Sequence, residues 1–177
     1  MKDEIEMNNF YTLTNPLCQI LDKNSEEFSR DDFLKVILQK QIERITFHYI
    51  GLDGKLKELK LPLSSRLQAE RILADGERVD GSSLFAGMVE TTLSDLYVIP
   101  IYKTAFLNPF DSGSIDFICR YIDVNGKRAP FAPDNILYRA NQLFKKNTSL
   151  DLYALGELEF FLLSDPEDNL QSHRGDR

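Results

Sequence analysis

Between residues 29 and 42 the chain reads SRDDFLKVILQKQI, and its apolar positions Phe33, Leu34, Ile37, Leu38 and Ile42 recur at the spacing of one helical stripe. Ser29 with Asp32 three positions later has the form of a capping box, Asp standing where Glu is usual, and this sets the helix start. The hydrophobic period then shortens from about 3.6 to about 2. In RITFHYIGLDGKLKELKLP, Ile45, Phe47 and Tyr49 alternate with more polar neighbours, Asp53-Gly54 supplies a turn, and Leu59 and Leu61 alternate again, which predicts a β-hairpin. SSRLQAERILADG predicts a second, short helix, opened by Ser65 with Gln68 three residues on and closed by Gly76.

Further along, LYVIPIY and SIDFICRYIDV are two more predicted strands, the first interrupted by Pro100. VNGKRAPFAP is a turn followed by a proline-rich joint, and a domain boundary is expected there. Pro133 then starts a helix with the stripe Ile136, Leu137, Ala140, Leu143 and Phe144. The last predicted strand is the apolar core of LDLYALGELEFFLLSD, residues 150–165. Residues 1–28 have weak periodicity and read as an irregular or partly ordered lead-in, and the ending SDPEDNLQSHRGDR is polar and rich in turn formers. The pattern is that of an α+β fold, with a first domain over residues 29–126. Residues 130–177 add one helix and one strand that lack the partners a core requires, as in a piece of a longer enzyme.

Charge and composition narrow the function classes. A formal net charge of −7 over 177 residues argues against an electrostatic hold on nucleic acid or on an anionic membrane surface. The amino terminus MKDEIEMNNFYTLTN has no apolar segment of signal-peptide form, and no later run approaches the roughly 20 apolar residues of a membrane span. A cytoplasmic protein is expected. Cys18 and Cys119 fall in no metal-ligand spacing and read as free thiols. His48, in a predicted strand, and His173, in the polar tail, read as packed or solvated structural histidines.

Two stretches carry chemistry. Glu157 and Glu159 are two residues apart in a predicted strand, so they share a face with stems roughly 7 Å apart. At an effective dielectric near 20 their carboxylates would repel by roughly 2 to 3 kcal/mol. Basic partners, open water on one sheet face, or a bound hard cation such as Mg²⁺ are the possible compensations. Asp80-Gly81-Ser82-Ser83 combines a turn-prone acid, a permissive glycine and two hydroxyls, which alone is an Asx or Ser turn.

Taken together, DGSS, then SDLYVIP, then GELEFFL resemble, in that order, the amino-terminal part of glutamine synthetases. The resemblance covers residues 29–165. It implies a β-grasp amino-terminal domain followed by the incomplete helix-strand start of a catalytic barrel. It further implies that Glu157 and Glu159 are ligands of divalent cations, Mg²⁺ or Mn²⁺. Asp80 and Ser83 would reach the neighbouring subunit's site in a homo-oligomer and help hold ammonium there, Asp80 being the catalytic carboxylate suited to bind ammonium and take its proton. The implied activity of the complete enzyme is an ATP-dependent ligase joining glutamate and ammonia through γ-glutamyl phosphate, with the isolated chain inactive. Asp95 would either support that site or cap a turn. The alternatives are a γ-glutamyl ligase for another amine and a non-catalytic interaction module. The chain departs from the family pattern at Val79, where an aromatic residue is usual, and in IPIYKT, which lacks the usual aspartate after the proline. APD stands in place of Asp-Pro-Arg, and tryptophan is absent.

Overall fold

The structure, a computed structural model, describes residues 14–89 and 95–162. The chain divides into two compact units, Met1–Gln142 and Leu143–Arg177. Within the first, helix α1 (Pro16–Leu21) is followed by a 3₁₀ turn (Ser25–Glu27) and by α2 (Arg30–Lys40). The hairpin β1 (Arg44–Ile50) and β2 (Leu56–Pro62) comes next, then α3 (Arg66–Asp75), β3 (Glu77–Asp80) and the single turn α4 (Gly81–Leu84). β4 (Asp95–Pro100), β5 (Phe106–Leu107), β6 (Ser114–Asp123) and α5 (Pro133–Thr148) complete the elements, α5 crossing the division between the units.

The strands form one sheet in the order β2-β1-β6-β4-β3, with β5 paired to the start of β6. β1 lies antiparallel to β2 from Arg44↔Pro62 to Ile50↔Leu56, as a hairpin must, and parallel to the first half of β6 from Arg44↔Ser114 to His48↔Ile118. The second half of β6 pairs antiparallel with β4, which pairs antiparallel with β3. The period-2 pattern decides which residues go inside. Ile45, Phe47 and Tyr49 of β1 and Ile115, Phe117, Cys119 and Tyr121 of β6 are buried on the core face. They pack with Phe33 and Val36 of α2 and Ile72 and Leu73 of α3. Phe117 sits edge-on to Phe33, ring centroids 4.9 Å apart, and to Phe47 at 6.3 Å.

The opposite face of β1 and β6 carries a buried polar network. Asp116, fully buried, accepts from His48 Nε2 at 2.7 Å, from Asn108 Nδ2 at 2.9 Å and from the Ser114 hydroxyl. Thr46 and Ser114 hydroxyls meet at 2.8 Å, and the His48 ring stacks on Phe106 of β5. His48 is therefore packed and structural, as its strand position suggested. Paired in this way, a buried carboxylate costs far less than an unpaired one.

Helix boundaries follow the caps. Ser29 accepts from the Asp32 amide while the Asp32 carboxylate accepts from the Ser29 amide, the reciprocal pattern the sequence suggested. The Ser65 side chain caps α3 through the Gln68 amide. Gly76 ends α3 at φ +71°, where an added Cβ would collide with the Val98 carbonyl, so glycine is required for both conformation and close approach.

Four sequence expectations need correction. Leu38, placed on the buried stripe of α2, is 79% exposed, while Val36 is fully buried, because the helix is rotated to point Phe33 at the sheet. The lead-in is not wholly irregular: α1 buries Leu17, and Phe28 joins the core. Asn15 explains this, since its side chain caps the Leu17 amide and donates to the Ala105 carbonyl, 90 residues away. β3 was not anticipated. Finally, residues 151–162 form neither helix nor strand, and residues 163–165 of the expected strand lie outside the described residues. An extended run becomes a strand only when a neighbour satisfies its amides and carbonyls, and the pattern of side chains cannot supply one.

Candidate functional site

The sequence ERVD, residues 77–80, forms β3 because it pairs with the start of β4, Val79 facing inward opposite Leu96. The chain then passes from the strand directly into α4 at Gly81. Asp80 is the last residue of β3 and the N-cap of α4, and it is exposed. Its Oδ1 accepts from the Ser82 amide at 2.9 Å and the Ser82 hydroxyl at 2.7 Å, and its Oδ2 accepts from the Ser83 hydroxyl at 2.7 Å. Those bonds, Ser83 first and Ser82 next, hold the Asp80 carboxyl down to about 2. The group is thus a fixed anion at the surface. Oδ1 accepts two of these bonds and Oδ2 one, so Oδ2 is the more open of the two to an outside donor.

The sheet register adds residues to this point. Asp80 lies directly opposite Asp95, and side chains opposite one another in an antiparallel pair share a face. Arg78, two residues before Asp80, is on the same face and ion-pairs with Asp95, Nη1 to Oδ2 3.2 Å. The structure therefore gathers Asp80, Ser82, Ser83, Asp95 and Arg78. Ser82 and Arg78 were not singled out from the sequence, although the alternation of ERVD would have placed Arg78 beside Asp80 once read as a strand. Asp95 begins β4 rather than capping a turn. The result is a small, exposed, acidic point, suited to binding a donor-rich cation.

Glu157 and Glu159 belong to the second unit, where both are exposed in the stretch without helix or strand. Their oxygens are the donor type that Mg²⁺ or Mn²⁺ takes. Among the described residues no group of three or more histidines, cysteines or acids is placed to hold a metal ion. No helix among the described residues is long and apolar enough to cross a membrane. Cys18 and Cys119 are free, and burial pushes the Cys119 thiol far up, away from the reactive thiolate.

Residues 41–124 match the family model described as the glutamine synthetase β-grasp domain. A glutamine synthetase from Staphylococcus aureus (strain MW2) is 28% identical over 143 residues, which are 79% of this chain and 29% of that protein. A 3-hydroxylaminophenol mutase from Cupriavidus pinatubonensis is 27% identical over 134 residues, 74% of this chain and 28% of that protein. The solved structure of Plasmodium falciparum glutamine synthetase superposes with a TM-score of 0.56 at 18% identity, over 68% of this chain and 23% of that one, a likeness of fold alone. The chain spans less than a third of the length of the curated relatives it matches.

Proposed function

Residues 41–124 of this chain belong to the glutamine synthetase β-grasp family, and from that premise we propose that it serves as the amino-terminal portion of an ATP-dependent ligase that joins ammonia to glutamate. The observation that carries the reading is the Asp80 turn, an exposed, ionised carboxylate braced by Ser82 and Ser83 and set opposite Asp95. A carboxylate only accepts and ammonium only donates, so the two are complementary. Held near 2, Asp80 is a poor proton acceptor from ammonium. Its role in this reading is to bind and orient the cation electrostatically, with the proton leaving to another group.

Ser83 positions Asp80, since its hydroxyl is spent on the carboxylate and on the Asp80 carbonyl. Exposure of both residues suits a role in a neighbouring subunit's site within a homo-oligomer. Glu157 and Glu159 supply two oxygen donors toward Mg²⁺ or Mn²⁺ once their segment is paired as a strand. A cation held there would supply neutralisation of charge on the phosphoryl group drawn from ATP. The exposed apolar side chains Ile136, Leu137, Leu158, Phe160 and Phe161 suit burial against the remainder of such a catalytic domain.

A domain exchange tests this. Residues 41–124 are placed in the S. aureus glutamine synthetase in exchange for its own β-grasp domain, and glutamine formation is followed with ammonia and, in parallel, methylamine. The expected outcome is an active chimaera in which Asp80→Ala raises KM for ammonium at least tenfold and leaves KM for ATP unchanged. Ser83→Ala should give a smaller change of the same kind. A chimaera that assembles as the parent does yet responds to neither substitution refutes the reading. Preference for methylamine moves it to another amine. The 177-residue chain alone, mixed with ATP, Mg²⁺, glutamate and ammonia, is expected to form no glutamine.

A further inference from the structure

β6 has a second, less crowded half on the face away from the core, where Ile118, Arg120 and Ile122 follow one another at two-residue spacing. The chain turns at Asn125-Gly126 and returns so that Arg128 stands opposite Ile122 in an isolated antiparallel bridge. Opposed residues share a face, and Arg120 is the diagonal neighbour of Arg128 on that face. The first turn of α5 is fastened at the same place. Asn135, 1% exposed, donates from Nδ2 to the carbonyls of Tyr121 and Ala129, each at 2.9 Å. One turn further on, the Tyr138 ring lies beneath Arg128, with the guanidinium carbon 3.7 Å from the ring centroid.

Both guanidinium groups are half-buried. Among the described residues, neither makes a hydrogen bond or an ion pair. Burial, and then the charge of Arg128, hold Arg120 below its ordinary value, so the two cations share one desolvated neighbourhood. Asp134 attracts Arg120 and offsets part of this cost without removing it. Among the described residues it reaches neither arginine at ion-pair distance, its Oδ1 is buried without a partner, and burial outweighs the attraction and raises its carboxyl above the usual range. Elsewhere among the described residues, Arg44, Arg66, Arg71 and Arg78 each have a carboxylate partner, while Arg30 and Arg139 have none but are exposed to water. Arg120 and Arg128 differ from those two in being adjacent and half-buried without a carboxylate partner, and a planar guanidinium fork is the group best matched to an oxyanion.

We propose that Arg120 and Arg128, with the Tyr138 ring as the wall that orients Arg128, form a receptor for a small doubly charged oxyanion, inorganic phosphate or a phosphate monoester. Two forks on neighbouring bridged segments match a tetrahedral dianion better than a planar monocarboxylate, which one fork satisfies alone. The site lies on the β6–α5 side of the first unit and uses neither Asp80 nor Ser83.

The test is a titration of the purified 177-residue chain, followed through the arginine Nε–H resonances at constant ionic strength. Inorganic phosphate, phenyl phosphate, acetate and chloride are the ligands. Phosphate or phenyl phosphate should shift the Arg120 and Arg128 signals saturably, with acetate at least tenfold weaker and chloride without specific effect. The stronger of the first two identifies free phosphate or a monoester. Arg120→Gln and Arg128→Gln should each weaken binding tenfold or more, Arg128→Lys should recover part of it, and Lys127→Gln, which removes a nearby charge only, should change it less than twofold. Unchanged amide dispersion in each variant separates loss of binding from loss of fold. Shifts that follow ionic strength alone, equal responses to chloride and phosphate, or binding indifferent to both glutamine variants overturn the proposal. So does arginine-dependent line broadening that grows with protein concentration, which would assign the pair to contacts between copies.

Discussion

SIDFICRYID and YALGELEFFLL are similar kinds of sequence, apolar runs with acids embedded in them, and the chain treats them oppositely. The first is β6, ten residues long, paired along its length, with Asp116 fully buried and accepting three hydrogen bonds. The second forms no helix or strand among its described residues, 153–162, and Glu157 and Glu159 are exposed. Alternation alone therefore does not make a strand. β6 has β1, β4 and β5 to satisfy its backbone, and Asp116 has donors on three side chains, while among the described residues the stretch 151–162 pairs with no strand and Glu157 and Glu159 accept from no side chain. An embedded acid marks a polar network when its donors come from adjacent strands, and waits for a partner when they do not.

The largest effect that could break this comparison is on packing. Phe117→Ala should cost about 3 to 5 kcal/mol, because the ring is fully buried between Phe33 and Phe47. Phe160→Ala, 70% exposed, should change stability by less than about 0.5 kcal/mol in the same chain. Urea unfolding of both variants checks the contrast, and equal losses would mean that residues 151–162 are packed after all. Next in size is the polar pair. Asp116→Ala strands the donors of His48, Asn108 and Ser114 and should cost about 2 to 4 kcal/mol. Glu157→Gln should be neutral within about 0.5 kcal/mol by the same measurement.

The elements legible in the sequence were those specified locally. The Ser29 box, the Asp53-Gly54 turn, the Ser65 cap and Gly76 each fix a backbone conformation within a few residues, and each stands where the pattern placed it. Ser29→Ala sharpens the point: loss of that cap should cost about 1 kcal/mol in urea unfolding, less than either core change. What the sequence left unread depends on distant partners. Asn15 and Pro16 signal a helix start, but nothing local says that Asn15 also binds Ala105. Val36 rather than Leu38 is buried because of where Phe117 lies, a contact 84 residues apart for Phe33. At the candidate site, Asp80 and Ser83 were readable as a turn. The arrival of Asp95 opposite Asp80 required the β3–β4 register, and Arg78 came with it.

The smallest expected effect belongs to that turn and separates a bonded acid from an unbonded one by pH. Asp80 has its folded carboxyl held at about 2, below the ordinary 3.8, by hydrogen bonds from Ser83 and Ser82. Because the folded value is depressed, the turn's stabilisation is fully present above the ordinary value and is lost as pH falls through the folded one. The window is therefore pH 4 down to about 2, and nothing should change between pH 5 and 8. The Ser82 amide, which donates to Asp80 Oδ1, reports the event directly. Its resonance should titrate with a midpoint near 2 in the unaltered chain. In Ser83→Ala, which removes the bond contributing most, the midpoint should rise toward 3.8. A midpoint already near 3.8 in the unaltered chain would mean that the serines do not hold the carboxylate. The fixed anion on which cation binding rests would then be absent.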